Sequence, residues 1–284
     1  MVLQLGGDNG ANETKKKGKV LSILQEKGGC GKSCAIFNIA SYFSRAGKVL
    51  IIDLDGQAAD ITYYMFGNKV GESTDNMRSD IMTIVDVFRR HINIDDVIMP
   101  YNESIHVIPA NIQVTYLNEG DKITFFKKCI NHLREIYDYI LIDVPPSPNR
   151  SHVLCLSVCD FVIPIVNPDS ASPKALISLN ESIEEIRETS NSGVEYLGIV
   201  MNKYDGRTNL AKEMLNQIEL LSDKFGTCMF RTMIHQGIAL SEHILMHQSI
   251  FEYAPKSKAA IEYEALAQEI LERINDMEQE EMGL

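Results

Sequence analysis

The chain has 284 residues, of which 45% are hydrophobic, and this size suits one large α/β domain or two small ones. No apolar run approaches the roughly 18 residues that a membrane-spanning helix needs. The N-terminus lacks the apolar stretch of a signal peptide, so we expect a cytoplasmic protein. The net charge of −12 excludes a protein that coats nucleic acid by charge alone, although an acidic body can carry a local basic patch.

The order of apolar and polar segments predicts the fold class. Residues 1–18 are polar and rich in Gly, Asn and Lys, which predicts a flexible arm before a single domain over residues 19–284. The predicted strands are 20–25, 48–55, 104–110, 137–147, 160–168 and 194–203. The predicted helices are 33–47, 121–136, 150–158, 171–190, 208–223 and 256–282. Apolar strands that alternate with helices indicate an α/β fold, with a doubly wound, mostly parallel sheet flanked by helices.

A glycine-rich segment, KGGCGKS at residues 27–33, joins the first predicted strand to the first predicted helix, as a phosphate-binding loop (P-loop) requires. Its glycines let backbone N–H groups turn toward phosphate oxygens, and the start of the helix adds its positive dipole end. Lys32 would contact the β- and γ-phosphates, and the Ser33 hydroxyl would hold Mg²⁺. The predicted nucleotide-binding residues of the loop are Gly28, Gly29, Cys30, Gly31, Lys32, Ser33 and Cys34.

The loop departs from the standard GxxxxGK[ST] pattern, because Glu26 stands at the first glycine position and a second lysine, Lys27, follows it. KGGxGK[ST] with this early lysine resembles the deviant Walker A signature of the ParA/MinD family of ATPases, and the resemblance extends from about Lys19 to Ile274. In that family the early lysine reaches the nucleotide of a dimer partner. The resemblance therefore implies that Lys27 acts in trans and that dimerisation depends on ATP. The positive charge of Lys27 would offset the negative charge that develops on the partner's phosphates in the transition state.

Three aspartates lie toward the C-terminal ends of predicted strands, at the sheet edge where open α/β folds bind ligands. Asp53 and Asp55 alternate along one strand, so both carboxylates can face the phosphates, one supporting Mg²⁺ and one orienting the attacking water. Asp143 ends another apolar strand, within reach of a water on Mg²⁺. The family motif DxDxQ implies that Asp55 activates water and that Asp53 lies near the metal. Gly56 and Ala59 replace the Pro and Asn that the family has nearby.

The string NKYD at residues 202–205 fits N-K-x-D, the guanine-reading motif of GTPases, and leaves GTP as an alternative to ATP. The overlapping string YDGRT resembles ParA-type chains. By that resemblance Asn202 contacts adenine and Arg207 contacts DNA. The second basic site of the family is missing here, since Gln236 and Ala239 stand in place of its arginines.

The resemblance implies a DNA-segregation ATPase with ATP and Mg²⁺ as cofactors. The expected ATP-dependent homodimer would bind DNA non-specifically, associate with a bacterial nucleoid, and hydrolyse ATP when a centromere-binding, ParB-like partner stimulates it. Four further basic residues are candidates for the DNA surface: Lys203, Arg231, Lys256 and Lys258. A MinD-like positioning ATPase is the alternative, but the acidic end of the last predicted helix disfavours a membrane partner. A non-enzymatic regulator is disfavoured by the presence of Lys32, Asp55 and Asp143.

Two further pairs of metal-capable side chains lie one helical turn apart. His243 and His247 lack a third ligand pattern, since an HExxH motif would need Glu in place of Ile244, so no zinc site is predicted. Cys155 and Cys159 stand in a segment unlike the cysteine segments of the nitrogenase iron protein. We interpret all six cysteines as reduced thiols.

Overall fold

The computed structural model describes residues 17–57, 60–67, 81–117 and 122–283. Within these residues, eight strands form a sheet of order β3-β4-β2-β5-β1-β6-β7, with β8 paired to the far end of β6. The strands are β1 Lys19–Leu24, β2 Val49–Asp53, β3 Met99–Pro100, β4 Ile105–Ile108, β5 Tyr139–Asp143, β6 Phe161–Val166, β7 Glu195–Tyr196 and β8 Val200–Met201. Only the β3–β4 pair is antiparallel among these strands, so the predicted mostly parallel sheet is confirmed.

The helices that the sequence predicts are present, with four shorter ones that it does not predict. In chain order they are α1 Lys32–Phe43, α2 Asp60–Phe66, α3 Ile84–Arg90, α4 Lys122–Leu133, α5 Arg150–Leu156, α6 Ser172–Thr189, α7 Asn209–Lys224, α8 Ala239–Leu245, α9 Ile250–Tyr253 and α10 Lys258–Met282. Single turns of 3₁₀ helix lie at Ile94–Val97 and Ile112–Tyr116. The unpredicted helices α2, α3, α8 and α9 span four to seven residues, which is too short for a helical period to stand out.

Helices cover both faces of the sheet, because successive side chains of each buried strand point to opposite sides. In β2, Leu50 and Ile52 join the apolar cluster that contains residues of α3 to α6. Val49 and Ile51 join the opposite cluster, which contains residues of α1 and α10. Complete burial of one such side chain contributes about 1.5–3 kcal/mol to folding.

The last predicted helix, α10, packs against the domain through one apolar face. Leu266, Ile270 and Ile274 of α10 are buried, whereas Ile261 is 60% exposed. A spacing of five residues separates Ile261 from Leu266, and at 3.6 residues per turn this rotates it away from the face that the four-residue spacings share. No helix in the described ranges is both long and apolar enough to span a membrane.

The predicted strand 194–203 is interrupted at Gly198, which separates β7 from β8. Gly198 has φ +144°, and a Cβ there would collide with the Arg273 guanidinium and the Phe230 ring. The break lets β7 pair with the start of β6 and β8 with its end. Asn202 and Lys203 are thereby delivered to the edge of the sheet where the first strand also ends.

The predicted arm lies mostly outside the described residues, which begin at Lys17. Gly18 belongs to the packed structure, because it is buried and its N–H donates to the Arg134 carbonyl over 2.9 Å. Ala59 also lies outside the described residues.

Candidate active site

A pocket of about 880 Å³ opens at the carboxyl edge of the sheet. Because the strands are parallel, the segments that follow β1, β2, β5 and β8 converge there. Its volume lies within the range of small-molecule sites, roughly 300–1,000 Å³. The lining comprises most of the P-loop, Asp55, Asp60, Tyr64, Pro146, Asn202, Lys203, several residues between 236 and 244, and Tyr263.

The P-loop has free hydrogen-bond donors at the start of α1. Gly31, the residue before the helix, has φ +95° and no side-chain cap, and a Cβ there would lie 2.6 Å from the Asn202 amide nitrogen. Glycine is therefore needed for both its backbone conformation and its lack of a side chain. Within the described residues, the N–H groups of Gly28, Gly29 and Gly31 donate to no protein oxygen or nitrogen. Unpaired N–H groups at a positive helix end form an anion site.

Lys32 and Ser33 begin α1 and lie beside Asp143, the last residue of β5. All three are buried, and Asp143 has no exposed surface. Among the described residues, neither Asp143 carboxylate oxygen accepts a hydrogen bond. Burial raises the pKa of Asp143 above its ordinary value, while the neighbouring Ser33 hydroxyl and Lys32 act in the opposite direction. A buried carboxylate with unpaired oxygens next to a hydroxyl suits a cation that takes oxygen ligands, so these residues fit Mg²⁺.

Asp53 and Asp55 have different surroundings. Asp53 lies opposite Asp143 across the β2–β5 pair and is fully buried. Its oxygens accept bonds from the Thr62 hydroxyl at 2.6 Å, the Thr62 N–H at 3.1 Å and the Asp55 N–H at 2.9 Å. Burial, with the nearby Asp143 charge, raises the pKa of Asp53. Asp55 lines the pocket and accepts a bond from the Gln57 N–H at 3.0 Å. Asp53 is thus held by Thr62 and by the Asp55 backbone, whereas the Asp55 side chain lines the pocket.

Lys27 does not line the pocket of its own chain. Its ammonium nitrogen lies 2.6 Å from the Asp169 carboxylate, and the two side chains are 35% and 33% exposed. The two P-loop lysines are thus oriented differently, with Lys32 in the pocket and Lys27 at its rim. Sequence reasoning missed Asp169, because no local pattern marks a residue that pairs with another 142 positions away.

The first two residues of the string at 202–205 donate hydrogen bonds to the P-loop. The Asn202 amide donates to the Cys30 carbonyl over 2.6 Å, and the Lys203 ammonium donates to the Gly29 carbonyl over 2.6 Å. Asp205 does not line the pocket. Its two oxygens are held by the Arg207 guanidinium, each at 2.8 Å, and this contact lowers the pKa of Asp205 to about 2. In this structure the Asp205 carboxylate is therefore paired with Arg207 and does not face the pocket.

The candidate DNA-binding residues are largely paired with carboxylates. Arg207 is 90% exposed but engages Asp205. Two further candidates also have acidic partners, as Arg231 lies 3.6 Å from Glu269 and 3.5 Å from Glu272, and Lys258 lies 3.5 Å from Glu262. This surface therefore carries less uncompensated positive charge than its basic residues alone imply.

The pair His243 and His247 does not converge on one point. His243 hydrogen-bonds the Gln248 carbonyl at 2.8 Å and lies 3.4 Å from the Cys34 sulfur. His247 turns toward the Tyr64 carbonyl, 3.3 Å away. The described part of the chain holds no group of three or more His, Cys, Asp or Glu side chains that could bind a metal ion, and its six cysteines are free thiols.

Several pocket residues were not predicted from the sequence, and two of them are polar residues of α2. Asp60 and Tyr64 lie on α2, one helical turn apart, and both line the pocket beside Asp55. Their spacing of four residues is the only sequence signal they carry. A further part of the lining comes from α8 and the residues before it, including Ile238 and Ile244.

Comparison with known proteins agrees with this geometry. A family model whose description is AAA domain matches residues 18–196. The chromosome-partitioning ATPase Soj of Treponema pallidum is 28% identical over 268 residues, which cover 90% of this chain and 98% of that protein. Soj of Thermus thermophilus is 26% identical over 265 residues, covering 92% and 99%.

Solved structures share the fold at lower sequence identity. Apo McdA of Cyanothece superposes with a TM-score of 0.76 at 18% identity, covering 90% of this chain and 99% of that one. MinD of Pyrococcus horikoshii in complex with Mg-ADP gives 0.69 at 21% identity, covering 89% and 95%. Cobyrinic acid a,c-diamide synthase of Mycobacterium smegmatis, with an ATP analog and magnesium, gives 0.72 at 20% identity, covering 91% and 96%. Since the family model matches more than half of the sequence, this chain belongs to the AAA-domain family, as a P-loop ATPase of the ParA/MinD type.

Proposed function

We propose that this protein is a ParA-type partition ATPase that binds and hydrolyses ATP with Mg²⁺, in a single domain over residues 19–284. The observation that carries the proposal is the combination of a P-loop with unpaired donors and a buried, unpaired carboxylate at Asp143. The first suits phosphate and the second suits a divalent cation. The Soj relatives, named as chromosome-partitioning ATPases, support the assignment to partition.

Each polar group of the pocket has a role in this proposal. The N–H groups of the P-loop and Lys32 hold the phosphates, and Ser33 and Asp143 hold Mg²⁺, which neutralises charge on the transferring phosphoryl group. Asp55 orients the attacking water. Asp53 fixes Asp55 and α2 through the bonds to its two oxygens, so that the water-orienting carboxylate keeps its position.

Dimerisation is the second part of the proposal. Lys27 lies at the rim of its own pocket, where it is free to exchange Asp169 for the phosphates of a facing protomer. An ATP-dependent homodimer would then form, as in the family. We propose a cytoplasmic protein that binds DNA non-specifically through Arg207, associates with the nucleoid when ATP-bound, and responds to a centromere-binding partner.

A second candidate is a positioning ATPase that binds a cellular surface other than DNA. The observation in its favour is the pairing of Arg207, Arg231 and Lys258 with carboxylates, which reduces the positive charge available to phosphate backbones. McdA and MinD share the fold, which accommodates both assignments. Binding to random duplex DNA in the presence of Mg-ATP separates the two.

The core activity is tested by measuring phosphate release from ATP and GTP, with Mg²⁺ and with EDTA, for the wild-type protein and Lys32→Ala. We expect Mg²⁺-dependent release from ATP by the wild type alone. Failure of the wild type to bind any nucleoside triphosphate, measured by calorimetry, would contradict the proposal.

A further inference from the structure

Lys203 combines a strained backbone with a contact to the P-loop. It has φ +52°, a left-handed conformation that a non-glycine residue adopts at a penalty of about 1 kcal/mol or more. It is one of three such residues among those described, and the other two, His91 and His247, do not line the pocket. Such strain persists only where surrounding contacts hold it, and here the Lys203 ammonium donates to the Gly29 carbonyl over 2.6 Å.

The preceding residue holds the next carbonyl of the same loop. Asn202 is buried, and its amide nitrogen donates to the Cys30 carbonyl over 2.6 Å. Its backbone N–H donates to the Val166 carbonyl over 2.7 Å, which anchors it to the end of β6. Two consecutive side chains at the end of β8 therefore hold two consecutive carbonyls of the P-loop.

Fixing a carbonyl also fixes an N–H group. The peptide unit is planar and trans, so the C=O of one residue and the N–H of the next point in opposite directions. A bond to the Gly29 carbonyl thus orients the Cys30 N–H, and a bond to the Cys30 carbonyl orients the Gly31 N–H. Both N–H groups turn to the side of the loop opposite to their carbonyl partners. A phosphate cradle needs N–H groups that face the phosphate, and the flexible glycines of the loop favour no single orientation by themselves.

We infer that Asn202 and Lys203 form a P-loop clamp, in which Lys203 is a positioning residue that orients the peptide units of the loop for phosphate binding. The inference rests on the proposed nucleotide function and assigns a different task to the N-K-x-D string. Its first two residues serve the phosphate loop, and its aspartate is held by Arg207 outside the pocket. Lys203 thereby contributes to the affinity for any nucleotide and does not select the base.

The test measures the dissociation constants of fluorescent ADP and ATP analogues, with Mg²⁺, for four variants in the full-length chain. Lys203→Met removes the donor and keeps the strain, whereas Lys203→Gly removes the donor and relieves the strain. Lys203→Arg restores a cationic donor. Lys212→Met makes the same charge change at an exposed position of α7 and is the matched control.

We expect Lys203→Met and Lys203→Gly to weaken ADP and ATP binding by about five- to tenfold, as for the loss of a charge-assisted bond that solvent partly screens. Lys203→Arg should recover most of this loss, and Lys212→Met should match the wild type. The thermal stability of Lys203→Gly should equal or exceed that of the wild type, because relief of the backbone strain offsets the loss of the Lys203 contact. Nucleotide binding by this variant should nevertheless be weaker.

Two results would overturn the inference. Wild-type affinity for both nucleotides in Lys203→Met, or equal weakening in Lys212→Met, would each contradict a clamp that acts on phosphate binding. Wild-type protein that binds no nucleotide would instead contradict the proposed function, so the two failures are distinguishable.

Discussion

The Lys27 ammonium lies 2.6 Å from the Asp169 carboxylate of the same chain, and Lys27 is not among the residues that line its own pocket. Although partial burial acts in the opposite direction, the hydrogen bond and charge of Lys27 lower the pKa of Asp169. Both side chains are about one-third exposed, and a pair this open contributes only about 0–1 kcal/mol. Triphosphate on a facing protomer is a stronger partner, so the pair can exchange without a large penalty.

Lys27→Ala and Asp169→Asn should therefore affect dimerisation in opposite directions. Removing the cation should impair ATP-dependent dimerisation and spare ADP binding by the monomer, because Lys27 is proposed to act across the interface. Removing its intramolecular partner should favour the dimer, by about fivefold if the pair is worth roughly 1 kcal/mol. Sedimentation with a non-hydrolysable ATP analogue measures both. An unaltered dimer in Lys27→Ala would remove the trans role.

Lys32→Ala and Asp55→Ala should separate binding from turnover. Lys32 contacts phosphate in the proposal, so its loss should weaken triphosphate binding about 100-fold, equivalent to roughly 3 kcal/mol. Asp55→Ala should keep binding and dimerisation and lower the rate constant of hydrolysis by about 100-fold or more, because only water orientation is lost. Calorimetry and single-turnover kinetics distinguish the two. Equal losses of affinity in both variants would contradict the assigned roles.

Nucleotide preference should not depend on Asp205, since its carboxylate is held by Arg207 and lies outside the pocket lining. We expect the wild type to prefer ATP and Asp205→Ala to retain that preference. Competition of ATP and GTP for a fluorescent ADP analogue gives the ratio directly. A wild-type preference for GTP that disappears in Asp205→Ala would instead establish the guanine-reading role of the string.

Binding to random duplex DNA should depend on the Arg207–Asp205 ion pair. Arg207→Ala should weaken binding by the ATP-bound protein and reduce the slope of log affinity against log salt by about one per protomer. Asp205→Ala should strengthen binding, because it releases the guanidinium from its intramolecular partner. A salt series of electrophoretic shifts with Mg-ATP and with ADP checks both. Absence of DNA binding at low salt would favour the second candidate, a positioning ATPase that binds a cellular surface other than DNA.

The stability of the fold in acid should depend on His152. This side chain is 4% exposed, and neither ring nitrogen has a hydrogen-bond partner among the described residues. Burial, reinforced by the charge of Lys32, lowers the pKa of His152 to about 4. The unfolded chain takes up a proton near pH 6.5 and the folded chain does not, so stability falls as the pH drops from about 6.5 to about 4.

His152→Leu should remove this contribution, and its free energy of unfolding should fall less between pH 7 and pH 4.5 than that of the wild type, by about 2 kcal/mol. Urea denaturation at the two pH values gives the difference. The exposed His91→Asn variant controls for the loss of a histidine elsewhere. The same pH dependence in wild type and His152→Leu would show that other groups dominate acid unfolding.

Local patterns predicted the sheet and the phosphate site because their causes are local. Burial on both faces makes β2 and β5 continuous apolar runs, and a parallel sheet brings the residues that follow such runs to one edge. Asp55 and Asp143 were therefore located from sequence, as were Lys32 and the glycines that precede it. The helices α2 and α8 were not predicted, because seven residues carry too little periodicity, and with them the pocket wall formed by Tyr64 and Ile244 was missed.

The sequence by itself determined which residue types stand at the ends of the apolar strands, and hence the chemistry available to the pocket. The order of the strands decided which of those residues meet. Placing β6 beside β1, and β8 beside β6, brings Asp169 to Lys27 and Lys203 to Gly29, across sequence separations of 142 and 174 residues. These contacts decide the orientation of the early lysine and the task of the N-K-x-D string. No local pattern encodes them, because they depend on which strands become neighbours in the sheet and not on the side chains adjacent in the chain.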